Sequence, residues 1–89
     1  MIRLNVMFSG RVRGVGFRAT VRACGTGTGV TGFVRNLDDG RVEAVFEGER
    51  AEIDAVLGKV RHLMGWAIAS ETASEEAARG EFADFTVRR

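Results

Sequence analysis

The sequence predicts an α+β fold of βαββαβ order, an antiparallel sheet with two helices on one face. Three observations carry that prediction. Apolar and polar residues alternate, the mark of half-buried strands, near residues 2–8, 30–35, 42–47 and 85–87. Apolar residues recur at helical spacing from 17 to 24 and again from 53 to 64. Asp38-Asp39-Gly40, between the second and third alternating segments, is a hairpin turn signal. This order is the split βαβ, or ferredoxin-like, plan.

Each element has its own justification. Ile2, Leu4, Val6 and Phe8 alternate with Arg3, Asn5, Met7 and Ser9, giving a first strand with one buried face. A glycine- and arginine-rich loop follows. The first helix spans about Phe17 to Cys24, with Phe17, Val21 and Cys24 on one side. It meets Gly25-Thr26-Gly27-Thr28-Gly29, a poor helix interior, and is expected to be short. Val30, Gly32 and Val34 alternate with Thr31, Phe33 and Arg35 in the second strand. Val42, Ala44 and Phe46 alternate with Glu43, Val45 and Glu47 in the third, antiparallel to the second. Ile53, Val56, Leu57, Val60, Leu63 and Met64 mark the second helix. Trp66 to Thr72 read as an extra strand, with Trp66 and Ile68 on one side. Residues 73–80 are Ala/Glu-rich and read as a loop or short turn. Phe85 and Val87 alternate with Asp84 and Thr86 in a last strand. No linker, low-complexity tract or repeat divides the chain, so residues 1–89 are expected to form a single domain.

Bulk properties narrow the function classes. No apolar run approaches the roughly 18 residues of a membrane span, and Arg3, Asn5, Ser9 and Gly10 interrupt any secretory core. A cytoplasmic protein without membrane association is the expectation. Cys24 is the only cysteine, and no Cys/His group has metal-ligand spacing. Cys24 reads as a small buried apolar residue, His62 as a solvated one, and Met7, Met64 and Trp66 as packing residues. Net charge is +1, but residues 1–41 hold seven Arg against two Asp, while the remainder is acidic. Local positive charge on a near-neutral chain points to a small anionic ligand rather than to a polyanion.

Gly10-Arg11-Val12-Arg13-Gly14-Val15-Gly16-Phe17-Arg18 packs three glycines and three arginines into nine residues. Gly14, Gly16 and Ala19 satisfy the dinucleotide pattern G-x-G-x-x-[GA], with Asp38 about 20 residues on. That fold needs a parallel second strand and further βαβ units, and here the second strand enters a hairpin. A plain turn explains glycines but not arginines at 11, 13 and 18. An anion cradle explains both. Gly14 and Gly16 let successive N–H groups converge as a nest. The following helix adds its unpaired N–H groups and positive dipole end. Arg18 supplies a planar, permanently charged fork suited to phosphate or carboxylate oxygens.

That nonapeptide, with Gly32-Phe33-Val34-Arg35-Asn36 and Asp39-Gly40 at the usual distance, resembles the acylphosphatase family. The likeness spans nearly the whole chain, including the terminal Phe85-x-Val87. It implies hydrolysis of a small-molecule acyl phosphate to a carboxylate and inorganic phosphate, without metal or cofactor. It also implies a site that accepts phosphate or a similar anion. By the same resemblance Arg18 is the catalytic arginine that binds the phosphoryl group, and Asn36 orients the attacking water. Arg13, Gly14, Val15, Gly16, Phe17 and Arg18 form the phosphate-binding loop. The chain departs from the family pattern at Arg13, where glutamine is common, and at Phe33, where tryptophan is. Gly25 and Thr28 replace Ala and Leu in the first helix, and Gly65-Trp66 replaces Gly-Pro.

Two rival readings belong to other classes. RNA-binding modules of this plan stack bases on aromatics of the open sheet face. The expected open face offers Arg3, Asn5, Met7, Glu43, Val45 and Glu47, with Phe33 as its one aromatic, so no nucleic acid is expected as a partner. A catalytically silent anion-binding module uses the same loop but has no need of an oriented water. Asp38 and Asp39 read as turn formers, Arg35 and Arg41 as surface residues. A monomer is expected.

Overall fold

The computed structural model describes residues 1–89. Its elements are β1 (Ile2–Gly10), α1 (Phe17–Gly25), β2 (Thr31–Asn36), β3 (Val42–Gly48), α2 (Arg50–Met64), β4 (Ile68–Ala77) and β5 (Phe85–Arg88). The sheet runs β4-β1-β3-β2-β5. Its first four strands pair antiparallel, and β5 adds to the outer edge parallel to β2. The result is the ferredoxin-like α+β fold with one more edge strand.

Period two builds the core. Leu4, Val6 and Phe8 of β1 lie opposite Phe46, Ala44 and Val42 of β3 in one register, and Val34 of β2 joins the same row. Phe17, Val21 and Cys24 of α1 and Ile53, Val56, Leu57, Val60 and Met64 of α2 close over that face in one apolar cluster. Phe8 meets Phe17 edge to face at 5.1 Å, and Phe46 stacks on Phe85 at 5.3 Å. Such aromatic pairs each contribute about 1 kcal/mol beyond area burial. Gly25 ends α1 where a Cβ would stand 3.0 Å from the Phe85 ring, so its absence lets helix and edge strand approach.

Three expectations need correction. Residues 73–77 continue strand β4 instead of forming a loop. The strand shows no apolar alternation because it is an edge whose helix-facing side chains are ionic. Glu71 pairs with Arg61 and Glu75 with Arg50, both from α2. Charge on an edge strand also discourages further pairing. Trp66 lies in the turn before β4 and is 66 % exposed, not packed beside Ile68. Leu63, counted on the apolar stripe of α2, is likewise exposed.

The face opposite the helices is not open as expected. Residues 78–84 cross it on the way to β5. Arg3 and Glu47 are buried there as an ion pair at 2.7 Å. Glu47 also accepts the Arg79 and Gly80 N–H groups, at 2.8 and 3.0 Å. Burial pushes the Glu47 carboxyl up, but those N–H groups and the Arg3 guanidinium outweigh it and hold it below the usual carboxylate range. Phe82 packs on Phe33 at 5.7 Å, and the Arg88 guanidinium lies 4.0 Å over the Phe33 ring. Phe33 is therefore buried rather than offered to a base. No helix is long and apolar enough to cross a membrane.

Candidate active site

The loop between β1 and α1 is pinned at both ends. Val12 and Phe17 are fully buried, and the Arg11 N–H is held by the Ala67 carbonyl at 2.8 Å. Between those anchors Arg13, Gly14, Val15 and Gly16 are exposed. Gly14 has φ +71° and Gly16 φ +76°, with no positive φ at Val15. This alternation turns consecutive N–H groups toward one side, the geometry of an anion nest. Neither glycine would meet anything within 4 Å through an added Cβ, so both are there for backbone conformation and not for space.

Gly16 is also the N-cap of α1, and no side chain caps the helix. The first helical hydrogen bond is from the Thr20 N–H to the Gly16 carbonyl, at 3.0 Å. The N–H groups from Gly14 to Ala19 have no acceptor within the protein. No acidic residue sits in the first turn to offset the dipole. Unpaired donors and an uncompensated positive helix end coincide at one place.

Arg18 and Asn36 reach that place from different elements. Arg18, on the first turn of α1, is half-buried, and its Nη1 donates to the Arg88 carbonyl of β5 at 3.2 Å. Asn36 is the last residue of β2. Strand alternation puts it on the same side as the buried Val34, beneath the start of α1. Its Oδ1 is buried without a hydrogen-bond partner, the one such side-chain atom in the chain. A buried acceptor left unsatisfied costs about 1–3 kcal/mol. Gly14, Gly16, Arg18, Ala19, Asn36 and Val87 together line a hollow of about 230 Å³. Of the predicted residues, Gly14, Gly16, Phe17, Arg18 and Asn36 share this hollow, whereas Arg13 and Val15 are exposed on the loop and do not line it.

The sequence reading missed β5's part in the site. Val87 forms a wall and the Arg88 main chain holds Arg18. Alternation marks Val87 as half-buried, but nothing in it says that the last strand lies beside β2. The remaining titratable groups stay apart. Asp39 is held below the usual carboxylate range by the Arg41 backbone N–H and guanidinium, as a turn former. Burial pushes the Cys24 thiol up, against a weaker pull from Lys59, so it is no thiolate nucleophile.

A mostly antiparallel sheet with helices on one face, and a glycine loop with unpaired N–H groups where the first strand meets the first helix, define the class. Comparison with known proteins makes it specific. The acylphosphatase family profile matches residues 4–87. An acylphosphatase of Methylococcus capsulatus is 44 % identical over 92 aligned residues, covering 100 % of this chain and 98 % of that one. One from Roseiflexus sp. is 56 % identical over 57 residues, spanning 64 % of this chain and 61 % of its own. The crystal structure of acylphosphatase from Bacillus subtilis superposes with a TM-score of 0.88 at 26 % identity, covering all of both chains. The chain belongs to the acylphosphatase family, hydrolases that act on acyl phosphates.

Proposed function

We propose that this hollow hydrolyses a small acyl phosphate, with Arg18 and the Arg13–Arg18 loop amides gripping the phosphoryl group and Asn36 placing the attacking water. Phosphoryl transfer spreads negative charge over three equatorial oxygens, and catalysis is mostly positioning plus electrostatic stabilisation. The nest, the helix end and the Arg18 fork supply both functions. Water attacks phosphorus in line. The bond from phosphorus to the acyl oxygen breaks, and its electron pair leaves on the carboxylate. A carboxylate is a good leaving group and needs no strong general acid. Asn36 Oδ1 accepts a hydrogen bond from the water and orients it, but is too weak a base to take its proton. That proton ends on a phosphoryl oxygen of the product.

The observation that carries this reading is Asn36, which lines the hollow together with Arg18 and the loop glycines and whose buried Oδ1 has no partner within the protein. A module that only bound anions would gain nothing from a lone acceptor there. The test is benzoyl phosphate hydrolysis by the Arg18 variants. Arg18→Ala is expected to lose at least about 10²–10³ in kcat, the scale of removing one transition-state donor. Arg18→Lys is expected to fare little better, since it keeps the charge and loses the planar fork. Substantial turnover by Arg18→Ala would overturn the assignment.

A further inference from the structure

We propose that the groove beside the cradle, between α1 and β5, is the acyl-group subsite, and that Arg22 selects acyl phosphates bearing a second anionic group. The inference rests on the phosphate assignment above and extends it to the other half of the substrate. Cradle and groove are continuous, because Ala19 and Val87 line both. Farther out the groove is lined by Ala23, Arg22 and Thr26. In-line displacement requires the leaving oxygen to depart on the side of phosphorus away from the water. Asn36 approaches from β2, one strand in from the edge, and the groove opens at the edge strand β5. The acyl group is thereby directed into it.

The lining suits a short acyl group with a charged end. Ala19 and Ala23 leave room along α1, and Val87, 39 % exposed, offers an apolar wall. Arg22 stands one turn beyond Arg18, about 6 Å farther along the same helix face. Arg3, Arg35, Arg41, Arg50, Arg61 and Arg79 are all engaged by carboxylates. Arg22 is not, although Asp84 lines an adjoining hollow with it. Arg22 is exposed and lines the groove, a second fork one helical turn from the first.

The test compares para-carboxybenzoyl phosphate with para-methylbenzoyl phosphate. The rigid ring keeps the two acyl groups from cyclising, and the substrates differ chiefly in the distal charge. The readout is the ratio of their kcat/KM values, which does not depend on the fraction of enzyme folded. The wild type is expected to favour the carboxylated substrate. Arg22→Gln should lower the ratio by about fivefold, Arg22→Glu further, and Arg22→Lys should retain most of it. The change should lie in KM, since the contact is remote from phosphorus, and should shrink at high salt. A ratio identical in wild type, Arg22→Gln and Arg22→Glu overturns the subsite. Arg18→Ala, assayed in parallel, separates the two assignments. If it keeps its turnover, the phosphate cradle falls and the subsite with it; Arg18-dependent activity with an unchanged ratio overturns the subsite alone.

Discussion

At the scale of one residue, the positive φ of Gly16 sets the aim of the proposed cradle. An added Cβ there meets nothing, so a substitution costs only backbone strain, about 1 kcal/mol for an L side chain in the left-handed region. Gly16→Ala should lose that much stability by urea unfolding and should raise KM for benzoyl phosphate several-fold as the N–H groups re-aim. Gly16→Asn, which tolerates positive φ better, should recover part of both. If Gly16→Ala is neutral in both, the positive φ is incidental to binding. The meeting of Arg18 and Asn36 in one hollow was legible because each sits in one of the two motifs that carry the family resemblance. The carbonyl that holds Arg18 was not, because a backbone acceptor leaves no mark on the residue type.

Two helical glycines separate propensity from packing at the scale of elements. Gly58 lies inside α2 with open space where a Cβ would go. Gly58→Ala should gain about 1 kcal/mol, or about 4–8 °C in Tm. Gly25→Ala would gain the same propensity, but its Cβ would press on a Phe85 ring already stacked against Phe46. Overpacking of this kind costs about 1–3 kcal/mol, so the variant should be destabilised. Thermal melts of the two variants decide the matter, and equal gains would refute the packing role of Gly25. Elements with an apolar face (β1, β2, β3, α1 and α2) were readable from period alone. The second half of β4 was not, since its inward positions Glu71, Ala73, Glu75 and Ala77 carry no large apolar side chain and are held by ion pairs to α2.

Across the whole molecule, the Arg3–Glu47 pair ties residues 78–84 over the far face and so fixes where β5 enters the sheet. The strand it delivers carries Val87 and the Arg88 carbonyl to the site. Glu47→Gln strips a partner from a buried guanidinium that retains Glu81, and should cost about 3 kcal/mol at neutral pH. The folded-state pKa of Glu47 is lowered, so its stabilisation is fully present above the unfolded value of about 4.3 and fades as pH falls through the folded value. Wild type and Glu47→Gln should therefore differ in urea midpoint at pH 7 and converge in acid. A gap that persists at the lowest pH would show that the carboxylate charge is not what holds the segment. This clamp was hidden in the sequence because Arg3 and Glu47 read as polar positions of strands with a solvated face. Only the return of residues 78–84, set by contacts far apart in the chain, buries them.

The measurement that bears most directly on the site is made on Asn36→Ala, comparing kcat for benzoyl phosphate with the inhibition constant of inorganic phosphate. In the proposed mechanism phosphate is gripped by Arg18 and the loop, while the carboxamide serves the water alone. The expected result is a kcat reduced at least about 10²-fold with phosphate inhibition unchanged within about twofold. Turnover close to wild type would contradict the account, as would a loss of phosphate binding in parallel with the loss of rate.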